Sequence, residues 1–198
     1  MTSTPRWFTD TGADHSQNYI ARMRGLASSG ADLDGEARLV DAMVTRGARI
    51  LDAGCGPGRL GAALAARGHR VVGVDVDPEL IAAAMEDHPG PVWLVGDLAN
   101  IDLATMGETE PFDAIVVAGN VLAFVAPDTE VQVLRSLARH LVPGGFVIVG
   151  FHVERYALSL FDSHLAEAGF VAEHRFGTWD LLPWGPASDF AVTVLRRG

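Results

Sequence analysis

The run Ile50-Leu51-Asp52-Ala53-Gly54-Cys55-Gly56-Pro57-Gly58 restricts the fold more than any other stretch of the chain. A short apolar run ends on an acid, a glycine-rich turn follows, and helical spacing begins at Arg59. A second apolar run, Val71-Val72-Gly73-Val74, ends on another acid, Asp75, 23 positions after Asp52. Together they lay out one strand–loop–helix–strand unit. Glycines let backbone amides approach a ligand closely, and a helix start offers unpaired N–H donors. An acid at the end of the second strand sits where a dinucleotide-type fold grips ribose hydroxyls. The unit reads as a holder for a nucleoside-bearing cofactor. A tight strand–helix turn with no ligand is the bland alternative.

The glycine spacing separates one cofactor from another. A pyrophosphate fingerprint is Gly-x-Gly-x-x-Gly. Here the spacing is Gly54-x-Gly56-x-Gly58, and Arg59 stands where the last glycine of that fingerprint belongs. Asp52 before the loop is a poor neighbour for a pyrophosphate and a good one for a cationic ammonium. The run Asp-x-Gly-x-Gly-x-Gly resembles motif I of the class I S-adenosylmethionine (SAM) methyltransferases.

Composition removes rivals. Every one of the 15 basic residues is arginine. Without lysine there is no P-loop Gly-Lys-Ser/Thr and no pyridoxal-phosphate Schiff base. Short-chain dehydrogenases resemble this fold but use a Tyr-x-x-x-Lys pair, and neither Tyr19 nor Tyr156 has a lysine to follow it. A net charge of −10 repels a polyanion at long range, so no nucleic-acid partner is expected. The seven histidines are scattered without ligand spacing, and no metal site is expected. Cys55, the single cysteine, cannot form an internal disulfide; a small residue in a tight turn and a reactive thiol are its two readings. At 198 residues and 48 % hydrophobic the chain suits one compact domain. Residues 1–7 lack a basic-then-apolar leader layout, and no apolar run reaches the roughly 18–20 residues of a membrane span. A cytoplasmic protein, with no membrane association, is expected.

Alternation of strands and helices continues along the chain, which implies a parallel sheet covered on both faces. Asp77-Pro78 opens a helix that runs through Met85, with an acid as N-cap and proline in the first turn. Strands are expected at Val92–Val95, Phe112–Ala118, Phe146–Gly150, Val171–Phe176 and Phe190–Leu195. Pro143-Gly144-Gly145 reads as a turn before the third of these. Further helices are expected over 129–140 and 156–168, and in the head over 16–26 and 35–45. The polar head has no obvious place in the sheet.

The resemblance covers about residues 35–198 and implies an α/β, Rossmann-like, doubly wound fold. Its sheet would have seven mostly parallel strands in the order 3-2-1-4-5-7-6, with the last antiparallel and helices on both faces. Residues 1–34 would form a helical cap or lid, and residues 35–198 the methyltransferase domain. Motif I falls on Asp52, Ala53, Gly54, Gly56 and Gly58. Asp75 matches the acid that binds the ribose hydroxyls, and Val76 would pack on the adenine. Asp97 would meet the adenine amino group, with the backbone N–H of Leu98 on the ring. Asn120, in Ala118-Gly119-Asn120, flanks the methionine moiety; acceptor contact and plain turn residue stay open for it. Tyr19 and Arg22, three apart on one helix face, would reach the methionine carboxylate, with solvated surface as the bland alternative. Asp75 and Asp97 could equally cap helices or close turns, and Asp113 reads as structural. Trp93 reads as core or as a wall of the adenine slot. Trp179 and Trp184 read as core or as walls of an acceptor pocket.

The implied reaction moves a methyl group from SAM to a small-molecule acceptor by in-line displacement, leaving S-adenosylhomocysteine (SAH). A non-catalytic SAM- or SAH-binding sensor or partner subunit is the alternative, and a nicotinamide oxidoreductase a third. A general base is needed only for an acceptor that must lose a proton. His15 and His152 are the residues to test for it, and no catalytic residue is assigned. The implied assembly is a monomer or a homodimer.

Overall fold

β1 (Arg49–Ala53) is an inner strand of a seven-stranded sheet, and all five of its residues are buried. It pairs in parallel with β2 (Arg70–Asp75) on one side and β4 (Phe112–Val117) on the other. Beyond them lie β3 (Val92–Val95) and β5 (Leu141–His152), also parallel. β7 (Phe190–Arg197) runs antiparallel between β5 and the edge strand β6 (Phe170–Phe176). The order is β3-β2-β1-β4-β5-β7-β6, as the resemblance implies. A computed structural model describes residues 4–198 of this chain.

The period of two along each strand builds two cores. Leu51, Ile115 and Val147 face one layer, under α7 (Glu130–Arg139) and α8 (Leu158–Ala168). Ile50, Ala114 and Ile148 face the other, under α3 (Gly35–Met43) and α4 (Arg59–Ala66). α5 (Pro78–Asp87) begins as its sequence predicts: the Asp77 carboxylate accepts from Glu79 N–H at 2.8 Å. Two head helices, α1 (Arg6–Thr9) and α2 (His15–Ser28), lie outside the sheet, and α6 (Val121–Phe124) follows β4. Among the described residues no helix is long and apolar enough to cross a membrane.

Two elements depart from the sequence reading. The Pro143-Gly144-Gly145 segment is an irregularity inside β5, not a turn before it. Leu141 pairs with Phe112 and Phe146 with Ala114, so the ladder skips four residues of β5, Val142 to Gly145, against one of β4 and then resumes. α8 starts at Leu158 instead of Tyr156, because Tyr156 turns inward against Phe151 and Phe161 and its hydroxyl meets His164 Nδ1.

Candidate cofactor and acceptor site

The sheet order reverses between β1 and β4, so the loops leaving their carboxyl ends part and open a crevice. The glycine turn after β1 leans onto β2: Gly54 and Cys55 N–H both donate to the Val74 carbonyl, at 2.7 and 3.0 Å. Gly54 has φ +77°, and a Cβ there would lie 2.4 Å from Val121 Cγ2. Gly56 has φ +55°, yet its Cβ would meet only Tyr19 Cε1, at 3.5 Å. The first glycine is closed by protein; the second faces open space.

Asp75 joins the loop to the second strand. Its Oδ2 accepts from Gly56 N–H at 2.8 Å and its Oδ1 from Asp77 N–H at 3.0 Å. Burial pushes this carboxyl up to about 6, against those backbone donors. Asp52 lies deeper. Burial pushes it up to about 7, opposed by the Arg59 charge, and its Oδ2 has no hydrogen-bond partner. Burial, with the charges of Asp52 and Asp75, also raises the Cys55 thiol, which keeps it protonated and supports the small-residue reading. At the end of β4, Asn120 takes φ +68° and its Oδ1 accepts from His152 N–H at 2.7 Å, fastening the ends of β4 and β5 together.

The head closes over this crevice from both sides. Trp7 Nε1 donates to Asp77 Oδ2 at 2.7 Å, and Ser16 Oγ donates to the same oxygen. Arg6 reaches the opposite wall, donating to Glu130 Oε1 at 2.8 Å and to the Val125 carbonyl. Tyr19 faces the glycine turn, with the Arg22 guanidinium 4.9 Å from its ring centroid. Beneath the head is a cavity of about 600 Å³.

Gly54, Gly56, Asp75 and Val76 line this cavity on the β1–β2 side, with Asp97 and Leu98 after β3. Asn120, Tyr19 and Arg22 line it from β4 and the head. His15 and His152 reach it as well. Asp52, Ala53 and Gly58 do not: Asp52 and Ala53 are core, and Gly58 packs against Ala84 and Trp93. Asp52 can therefore act on a ligand only through its field, from behind the loop. The turn-closing reading of Asp97 is also satisfied, since its carboxylate accepts from Ala99 N–H at 3.0 Å.

The tryptophans take the core reading of the two open for them. Trp93 lies under the glycine loop, its Nε1 donating to the His88 carbonyl at 2.9 Å, and does not reach the cavity. Trp179 covers Gly150 and Trp184 packs on the core, so neither walls the site. Trp7, Phe124 and Arg155 line the cavity without having been singled out. Their signal was position: Phe124 and Arg155 fall just past the carboxyl ends of β4 and β5.

Comparison with known proteins agrees with this geometry. Residues 50–145 match the family described as a methyltransferase domain. A TehB-like SAM-dependent methyltransferase from Corynebacterium glutamicum is 42% identical, with a TM-score of 0.88 over 94% of this chain and 100% of that one. The chain belongs to the SAM-dependent methyltransferases. SAM is therefore the cofactor and SAH its product. The CcbJ methyltransferase of Streptomyces caelestis, 19% identical, shares the fold with a TM-score of 0.74 over 83% of this chain and 90% of its own. A ribosomal protein L11 methyltransferase from Methylococcus capsulatus is 34% identical over 111 residues, 56% of this chain and 35% of that protein. The chain thus spans about a third of the length of the curated relatives it matches.

The methyltransferase's own residues fit SAM. A nucleoside with a cationic amino-acid tail needs an acceptor for its diol, negative field near its cation and a partner for its carboxylate. The cavity presents Asp75 at the strand end and the Arg22 guanidinium, while the orphaned Asp52 oxygen lies outside it, beside Gly61, and reaches the ligand by its field alone.

Proposed function

We propose that this protein is a cytoplasmic enzyme that transfers the methyl group of SAM to a small-molecule acceptor by in-line displacement. The observation that carries the reading is the roof: Trp7 and Arg6 tie the head to opposite walls, so the crevice is a half-open cavity roofed by the head instead of a bare surface groove. A macromolecular acceptor would have to displace that roof.

In this reading Asp75 accepts from the ribose hydroxyls, and Val76, Leu98 and Asp97 surround the adenine. The Gly54 and Gly56 backbone borders the methionine portion, with Tyr19 and Arg22 on its carboxylate. Ala53 and Gly58 shape the turn from behind, Asp52 supplies negative field, and Asn120 sets the floor near the methyl. When bound, SAM supplies a methyl on sulfonium: the acceptor's lone pair forms the new bond while the S–CH₃ pair returns to sulfur, leaving neutral SAH. The protein's part is to hold the nucleophile about 3–3.5 Å away and in line, and to exclude water. His15 and His152 stand on the cavity wall for an acceptor that must lose a proton. Residues 1–34 act as the lid, latched by Asp77.

The test follows a labelled methyl group from SAM into a mixture of metabolites and ribosomal proteins. Label in the small-molecule fraction is expected. Label confined to protein would transfer the L11 relatives' named activity to this chain and overturn the reading. SAM binding without label anywhere favours the sensor alternative.

A further inference from the structure

A second cavity, of about 630 Å³, opens beside the first, between α1, α6 and the turn that leads into α8. The two share a wall made by His15, Phe124 and Arg155. Its lining is mixed: Leu122, Ala123, Phe124, Ala157 and Leu160, the last 47% exposed, form an apolar part beside charged Arg6, Asp10 and Glu130. Phe124 and Leu160 together offer a strip on which a small apolar ligand body can lie.

The charges around it differ in availability. Arg6 and Glu130 pair with each other at 2.8 Å. Asp10, at the exposed rim, accepts from Thr9 Oγ1 at 2.8 Å. The Tyr156 hydroxyl is engaged by His164. Arg155 alone is uncommitted: among the described residues its guanidinium has no ion pair and no hydrogen bond, and lies 5.8 Å from the centroid of the Phe124 ring. Its main chain is held, since Arg155 N–H donates to the His152 carbonyl at 3.0 Å. A fixed backbone thus presents a free planar cation on the wall common to both cavities.

We propose that the second cavity holds the methyl acceptor, and that this acceptor is an organic carboxylate whose acid group meets Arg155 while its apolar body lies along Phe124 and Leu160. The inference rests on the methyltransferase reading above. The carboxylate is the handle; a second group of the same molecule is the nucleophile, directed through the common wall toward Gly119, beside which a Cβ would meet nothing within 4 Å. A planar guanidinium fork matches a carboxylate in two parallel hydrogen bonds. One free arginine near Asp10 and Glu130 suits a monoanion and penalises a phosphate dianion.

Isothermal titration of the full chain tests this, with SAH titrated first and alone. Onto the SAH-saturated protein, phenylacetate, phenylacetamide and phenyl phosphate are then titrated. Phenylacetate is expected to bind at least about tenfold more tightly than the isosteric amide, as one charge-assisted pair implies. Arg155→Gln erases that preference in a protein that still folds, because Arg155 is exposed and supports no other group. Leu160→Ser weakens all three probes alike. Equal affinity for acid and amide, no binding of phenylacetate, or a preference that survives Arg155→Gln overturns the acceptor class. Stronger binding of phenyl phosphate overturns the monoanion assignment. Absence of SAH binding in the first titration is the distinct failure, since it removes the methyltransferase site itself.

Discussion

In the half of the cavity made by β1, β2 and β3, the side-chain ties are short in sequence, Gly56 N–H to Asp75 spanning 19 positions, while Asp52 Oδ2 has no partner. Asp75 accepts from Asp77 two residues on, and Asp97 from Ala99 two residues on. In the half closed by the head, the ties are long. Trp7 reaches Asp77 across 70 positions and Arg6 reaches Glu130 across 124. Short-range bonds preform a loop before any ligand arrives, whereas single side-chain ties leave a roof able to open at modest cost. The two halves thus differ in how they are held, and substitutions separate them.

The largest effect is expected at Gly54. Gly54→Val places side-chain atoms inside Val121 and forces a β-branched residue to positive φ, so stability falls by about 3 kcal/mol or more and SAH binding is lost. Urea unfolding measures the first and titration the second. Gly56→Ala is the sharpening control: it carries the strain of positive φ, about 1–2 kcal/mol, without the clash, so the protein folds and affinity falls. Equal destabilisation by both would erase the distinction between a closed and an open glycine.

Next comes pH. Asp52 and Asp75 are pushed up to about 7 and about 6 by burial, above the roughly 3.9 of an unfolded aspartate. The folded state then binds more protons than the unfolded one between those values. Their contribution to stability is complete below pH about 4 and is lost as pH rises through 6 to 7. The ligand-free protein should be more stable at pH 5 than at pH 8 by roughly 2–4 kcal/mol, and Asp52→Asn should remove much of that slope. Affinity for cationic SAM should run the other way and rise across the same window. A flat apo stability profile would remove the buried-acid account of the loop.

Asp75→Ala should fold and bind SAH about tenfold or more weakly, since Gly56 N–H also loses its acceptor. The smallest effect belongs to the roof. Trp7→Phe keeps a ring against Phe124 but deletes the hydrogen bond to Asp77, so SAH dissociation should quicken about fivefold with little change in melting temperature. A large loss of stability instead would make the head part of the core.

The sequence was most legible where structure is local. Asp52 to Gly58 and Asp75 announce their turn and strand end in adjacent residues, and the apolar run of β4 can only be a buried strand. The sheet order needed the family resemblance, because no spacing says which edge β3 or β6 takes. α1 and α6 are four residues each, too short for a 3.6-residue period to register. The Asp77 latch was half visible. Its N-cap role follows from Asp-Pro-Glu, but its bonds to Trp7 and Ser16 depend on how the head folds back. The tryptophans stayed undecided for another reason: indole size and placement late in a chain fit a core and a pocket wall equally well, and Gly150 beneath Trp179 decides for the core there.

The floor of the glycine loop has a consequence for inheritance. Cβ atoms at Gly58, Gly61 and Gly73 would stand 2.9, 2.8 and 2.3 Å from the Trp93 ring. Four positions, on α4 and its N-cap, β2 and β3, therefore share one volume, and none is free to vary alone. A lineage that enlarges any of the glycines must first shrink residue 93, and one that shrinks residue 93 leaves a void under the loop until a glycine grows. The motif that looks like a string of ligand contacts is in this respect a packing contract, and related chains should exchange these residues only as a set.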